Sequence, residues 1–205
     1  MPEAEKTAFI SYRRRTSRHL ARAILMDLCL HGYDVSLDVD TLDSGEFERI
    51  ILKQVAARMH FVLLLTPGAL DRCNEPDDWL RREIERSIEL NRKIVPVIEE
   101  GFNFTDAAPY LTGKLAALPR YNAVLLYHAY FDAALDNLRT RFLKAPVYNV
   151  VLTPTPTAEQ AAVQQQIKEV VEEPPQTLKQ VKVRGLFNKA VQLHAEKDFK
   201  GAVAV

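Results

Sequence analysis

Three groups of residues could do chemistry by their type and spacing. Arg13, Arg14 and Arg15 stand together directly after the short apolar run Thr7-Ala8-Phe9-Ile10-Ser11. Guanidinium groups pair bidentately with phosphate oxygens, so a cluster of this kind at the end of a strand suits a diphosphate. A solvated loop with helix-flanking charges is the plainer alternative. Trp79 and Glu83 are four residues apart and share one side of a helix. Leu80, Ile84 and Ile88 make that helix's apolar stripe, roughly 100° around from them, which sets Glu83 on the shoulder of the buried face. A carboxylate there is partly desolvated beside an aromatic platform; the alternative is a surface glutamate paired with Arg82 or Arg86. Third, the loop Asp38-Val39-Asp40-Thr41-Leu42-Asp43-Ser44-Gly45 has Leu42 as its only large apolar tip. Such a loop suits a partner contact, or is simply a turn rich in Asp, Ser and Gly.

Other chemistries lack their residues. There is no GxSxG elbow, HExxH pair, Walker GxxxxGK[ST] loop or GxGxxG among the seven glycines. The two cysteines, Cys29 and Cys73, form no CxxC pair, and the five histidines are scattered singly, so no metal site is expected. Cys73 has no histidine neighbour to activate it, and His60, opening an apolar run, reads as packing.

The elements that position these groups follow from hydrophobic periodicity. Thr7–Ser11 reads as a strand and Arg18–Leu30 as a helix, with Leu20, Ile24 and Leu28 on one face and His31-Gly32 ending it. Asp34–Asp38 is a second strand and Glu46–Met59 a helix with Phe47, Ile50, Ile51 and Val55 on one face. Phe61–Leu65 is continuously apolar, as expected of a strand buried on both faces. A helix starts at Pro76-Asp77-Asp78 and runs to about Leu90. Ile94–Ile98 and Ala123–Leu126 are further strands, and Phe131–Phe142 is a closing helix. Gly101–Arg120, punctuated by Pro109, Gly113 and Pro119, reads as irregular with a short helix. The alternation implies an α/β fold, a parallel sheet covered by helices on both faces, whose ligands lie beyond the carboxyl ends of the strands.

The 205 residues suffice for one domain and an appendage. Lys+Arg 27 against Asp+Glu 27 leaves zero formal charge, which argues against a whole-chain nucleic-acid binder. The start, Met1-Pro2-Glu3-Ala4-Glu5-Lys6, has no apolar core of a secretory signal, and no apolar run is long enough to span a bilayer. A cytoplasmic protein without membrane contact is expected. After Lys144 the composition shifts. Thr153-Pro154-Thr155-Pro156-Thr157 suits a stiff linker, expected over 146–157, followed by a helical segment over 158–205. Phe187–Val203 resembles the turn region of a tetratricopeptide repeat, so the segment reads as the start of such repeats or as a lone helical tail.

Five segments in order resemble the Toll/interleukin-1 receptor (TIR) domain family, over about residues 5–145. Phe9-Ile10-Ser11-Tyr12-Arg13-Arg14 resembles its opening. Gly32–Asp38 with Leu42-Asp43-Ser44-Gly45-Glu46-Phe47 is similar to its second strand and BB loop. Phe61–Leu70 resembles its third strand and exit, Trp79–Ile84 its WxxxE pattern and Lys93–Ile98 its fourth strand. The likeness is greatest to NAD-cleaving members: the animal axon-degeneration factor with sterile-alpha and TIR motifs, and bacterial TIR enzymes. The resemblance implies a flavodoxin-like five-stranded parallel sheet and NAD+ as substrate, with no further cofactor. It implies Glu83 as the catalytic carboxylate, and Tyr12, Arg13, Arg14, Asp38, Asp43, Phe47, Trp79 and Tyr127 around the substrate. It further implies activation by self-association, with Leu42, Ser44 and Gly45 of the BB loop in the oligomer interface.

The expected activity is thus an NAD+ glycohydrolase giving nicotinamide and ADP-ribose, or a cyclised product, in defence or cell-death signalling. The alternatives are a non-enzymatic TIR scaffold and a bacterial effector acting on host TIR signalling. Expected partners are NAD+, further copies of the TIR domain, and proteins met by the helical segment.

Overall fold

A computed structural model describes residues 6–37, 45–144 and 150–154 together with residues 161, 164 and 165; of residues 45–48 it describes the backbone only. The expected segment 158–205 thus lies almost wholly outside the described residues.

The central strand explains the architecture. All six residues of His60-Phe61-Val62-Leu63-Leu64-Leu65 are buried, so both faces of this strand must be covered. Numbered in chain order, the elements are β1 (Thr7–Ser11), α1 (Arg14–Leu30), β2 (Asp34–Leu37), α2 (Gly45–Ala57), β3 (His60–Leu65), α3 (Trp79–Glu89), β4 (Lys93–Glu99), β5 (Val124–Leu126) and α4 (Phe131–Asn137). The strands form one parallel sheet in the order β2-β1-β3-β4-β5. The flavodoxin-like α/β fold expected from the sequence is therefore present.

Side chains alternate across the sheet and divide the core in two. On one face Ile10, Val62 and Leu64 pack with Ile24, Leu25 and Leu28 of α1 and Leu135 of α4. On the other, Phe9, Phe61, Leu63 and Leu65 pack with Ile51 and Val55 of α2 and Leu80 and Ile84 of α3. Phe9 and Phe61 stack there at 5.9 Å between ring centroids. Gly32 ends α1 at φ 76, a left-handed conformation that favours glycine, and Tyr33 N then donates to Leu28 O at 3.0 Å.

Two differences from the expected elements have physical reasons. Helix α1 begins at Arg14, four residues before the expected Arg18. Three arginines oppose the helix dipole there, but tertiary bonds pin the first turn: the Ser17 hydroxyl lies 2.7 Å from Thr66 Oγ1, which donates to Thr16 Oγ1 at 2.9 Å. The closing helix leaves α-geometry after Asn137 and runs on as a wider turn, Leu138–Phe142, with Leu143 N donating to Leu138 O at 2.9 Å. Residues 101–120 are irregular with short 3₁₀ turns, as expected.

Candidate active site

The carboxyl ends of β1 and β3 and the amino end of α3 meet at one edge of the sheet. Asp78 is the N-cap of α3, its Oδ1 accepting from Arg81 N at 3.1 Å. Along α3 the buried residues are Leu80, Glu83, Ile84 and Ser87. The inward face is thus wider than the expected stripe: Glu83 and Ser87 are buried beside Leu80 and Ile84, and Ile88, partly buried, packs on the same core as expected. Ser87 reaches the interior because its hydroxyl is satisfied locally, donating to Ile84 O at 2.7 Å.

Glu83 is consequently not on a shoulder. It is 1% exposed, and the fully buried hydroxyl of Ser11 at the end of β1 donates to its Oε2. Glu83 is thus a buried acid rather than the surface glutamate weighed as the alternative. Arg86 turns to Glu89 at 3.3 Å, and the Arg82 guanidinium lies 5.2 Å from the Trp79 ring centroid. A glutamate is almost never this buried without a partner, because water solvates the charge far better than protein does. A buried acid at the ligand-binding edge of a sheet is a candidate functional group.

Arg13 precedes α1 and faces the loop between β3 and α3. Its Nε donates to Ala69 O at 2.9 Å, its Nη1 to Asp78 Oδ2 at 2.6 Å, and its Nη2 to Asp71 O at 2.8 Å and Asp78 Oδ1 at 3.0 Å. Cys73 Sγ lies 3.4 Å from the same Nη2 and donates to Asp78 Oδ1 at 3.3 Å. Burial alone would push the Asp78 carboxyl up, but the Arg13 hydrogen bonds, the Arg81 N–H and the Arg13 charge outweigh it and hold it below its ordinary value. Burial, with the Asp78 charge beside it, pushes the Cys73 thiol up to about 12, so this cysteine is inert as a nucleophile.

The other expected site residues are placed unevenly. Tyr12 is 8% exposed, with its ring in the core on the α1 face. Arg14 is the half-buried first residue of α1. Trp79, the first residue of α3, and Tyr127, just past β5, are among the exposed large aromatics at 40% and 47%. Gly45 and Phe47 lie at the start of α2, where the Phe47 side chain is outside what the structure describes; Asp38, Leu42, Asp43 and Ser44 lie outside the described residues altogether. A cleft of about 120 Å³ beyond β3 and β4, lined by Pro67, Leu70, Asp71, Phe102, Asp106 and Tyr110, has room for a ring rather than a dinucleotide. Ser11 was not singled out by sequence reasoning; its signal is only its place as the last residue of a buried strand. Among the described residues no helix is long and apolar enough to cross a membrane.

Comparison with known proteins adds the family. Residues 8–139 match the family model described as TIR domain. NAD(+) hydrolase tir-1 of Caenorhabditis elegans is 37% identical over 138 residues, 66% of this chain and 14% of that protein. NAD(+) hydrolase sarm1 of Drosophila melanogaster is 37% identical over 139 residues, 66% of this chain and 10% of that protein. The chain therefore spans about a tenth to a seventh of the length of these relatives. Among solved structures, a metazoan TIR-STING receptor from C. gigas is similar at 19% identity and a TM-score of 0.49, over 68% of this chain and 40% of that one. The motif order, the fold and the matched family model agree: this chain belongs to the TIR domain family.

Proposed function

We propose that this TIR domain is an NAD+ glycohydrolase with Glu83 as its catalytic carboxylate. The observation that carries the reading is Glu83 itself, a buried acid on the first turns of α3, held by Ser11 at the ligand-binding edge of a parallel sheet. Relatives at 37% identity over the same region are named NAD(+) hydrolases, which supports the substrate.

The chemistry asks for little more. The bond between C1′ of the ribose and the pyridinium nitrogen breaks with its electron pair going to nicotinamide, which leaves as a neutral base and needs no general acid. The ribose passes through an oxocarbenium-like state, and an ionised Glu83 near its hydroxyls stabilises the developing positive charge. Glycosidases with poorer leaving groups need a second carboxylate for protonation; here one is enough. Water then bonds to C1′ and gives up a proton, yielding ADP-ribose; attack by an adenine nitrogen instead yields the cyclic product. Trp79 and Tyr127 offer exposed ring faces to the bases, and Arg14 a charge to the diphosphate.

A carboxylate 1% exposed cannot touch a ribose until its surroundings move. That favours a resting state opened by self-association, in the service of defence or cell-death signalling, with the BB-loop residues Asp38, Leu42, Asp43, Ser44, Gly45 and Phe47 in the assembled site. We further assign the TIR unit to residues 5–145, a linker to 146–157 and the helical partner segment to 158–205, in a cytoplasmic protein that needs no cofactor or metal.

The test is nicotinamide release from NAD+ over a wide protein concentration range, with Glu83→Gln alongside. The reading expects release that rises faster than linearly with protein and falls at least about 100-fold in a variant that keeps its circular dichroism and melting temperature. Release that survives in Glu83→Gln removes the catalytic assignment. No release at any concentration, even with the protein artificially clustered, leaves a TIR scaffold.

A further inference from the structure

The geometry points to the exit of β1 as the device that positions the catalytic carboxylate: Ser11 fixes Glu83 directly, and Arg13 clamps the start of helix α3 instead of binding substrate phosphates. This inference rests on Glu83 being the catalytic group.

Ser11 is fully buried and Glu83 nearly so. An ionised carboxylate only accepts, so the single hydroxyl proton of Ser11 is committed to Oε2. The position of that hydroxyl is set by the centre of the fold, since Ser11 lies in register with Leu63 of β3. One bond therefore ties the acid to the most deeply buried strand pair in the sheet, where a side chain is least free to drift.

Two residues on, Arg13 uses its planar fork on the protein. Both Nη atoms reach the two oxygens of Asp78, and Nε and Nη2 take the carbonyls of Ala69 and Asp71. Most of its five N–H groups are thereby used, and its side chain is only 19% exposed, which makes it a poor phosphate ligand. Asp78 in turn caps α3, and Glu83 lies five residues into that helix. The receiving loop is shaped for the clamp. Arg72, between Asp71 and Cys73, is held at φ 74, a left-handed conformation that is strained for a non-glycine residue. That strain persists where surrounding contacts over-determine it, and here the residues on either side of Arg72 both face Arg13 Nη2. Arginine suits the position and lysine does not: an ammonium cannot span two carboxylate oxygens and two carbonyls at once.

Steady-state kinetics of NAD+ hydrolysis on the full chain separate positioning from binding. Ser11→Ala is expected to lower kcat about ten-fold or more with KM nearly unchanged. Because it removes a hydrogen bond to the ionised acid, it also moves the acid limb of the kcat–pH profile up by about one unit. A merely structural serine moves no such limb. Arg13→Lys keeps a cation for phosphate but loses the fork, so kcat should fall several-fold while KM stays within about two-fold. A Ser11→Ala enzyme with the parent pH profile and kcat overturns the direct contact. An Arg13→Lys enzyme whose loss is all in KM, with kcat intact, returns Arg13 to the phosphates and overturns the clamp. Glu83→Gln run in the same series keeps the two levels apart: activity in that variant removes the underlying function, whereas an inactive Glu83→Gln beside a parent-like Ser11→Ala removes only the positioning role.

Discussion

At the scale of single residues, His60 is the clearest case of an ionisable group that the fold holds in one state. Its ring is 1% exposed in the central strand, with Nδ1 3.0 Å from Thr7 O, the distance of a donor to a carbonyl. Lys93 stands in register with it on β4. Burial, against the Thr7 hydrogen bond and with help from the Lys93 charge, pulls its pKa down from 6.5 to about 4. The sign follows directly. Above pH 6.5 both folded and unfolded chains carry a neutral imidazole, and His60 contributes its full share of stability. As pH falls from 6.5 towards 4 the unfolded chain takes up a proton that the folded chain refuses, and stability is lost, by about 3 kcal/mol at the lower end. Urea unfolding of the parent and of His60→Gln, which keeps a donor for Thr7 O, should show a slope over this window in the parent that is largely missing in the variant. Identical slopes would assign the acid sensitivity to other groups.

At the scale of elements, α3 carries the site and Asp78 holds its first turn. Replacing Asp78 by Ala removes the N-cap and leaves the Arg13 fork without its carboxylate. The expected cost is about 2–4 kcal/mol, whereas Asp78→Asn keeps the cap on its amide oxygen but loses the charge and one of the two acceptors of the Arg13 fork, at a somewhat smaller cost. Chemical denaturation measures both; losses below about 0.5 kcal/mol in each would mean that the loop, not the cap, holds the helix. The same helix shows what could be read beforehand. The place of Glu83 on α3 was legible because Trp79 and Glu83 fall at helical spacing after a capped start. Its burial was not, since the inward face takes in two polar residues beside the apolar stripe, Glu83 bonded to Ser11 and Ser87 bonded to Ile84 O, and composition announces neither bond. Strands β1 and β3 were legible because apolar runs of five and six residues are too short for a buried helix and suit a strand covered on both faces. The start of α1 was missed because Ser17 and Thr66 are 49 residues apart. The Arg13–Asp78 fork joins residues 65 apart, and an arginine cluster looks the same whether it faces a phosphate or a carboxylate.

At the scale of the molecule, the chain beyond α4 returns to the base of the sheet, opposite the candidate site. Thr153 N donates to Ala56 O at 3.1 Å at the end of α2, and Arg92 Nη2 donates to Ala56 O at 2.6 Å and to Val151 O at 2.9 Å. A stretch expected to be linker thus lies partly on the domain. Arg92 is 4% exposed, and its Nε and Nη1 have no hydrogen-bond partner among the described residues. Burial lowers its pKa, with Arg86 adding repulsion. A buried cation so incompletely paired adds little to stability, because its desolvation offsets its hydrogen bonds. Its contribution is instead to hold residues 150–154 in place. Arg92→Met keeps the aliphatic volume and removes the charge, so the melting temperature should stay within about 3 °C of the parent or rise. Hydrogen exchange around Val151–Thr153 should nevertheless speed up, because the Arg92 bond to Val151 O is lost and, among the described residues, the Thr153–Ala56 bond is left to hold the segment. A variant that melts much earlier would show that the guanidinium supports the core. A variant that melts normally and exchanges no faster at 150–154 would show that backbone pairing alone fixes where the chain leaves the domain, and with it the direction in which any following segment is presented.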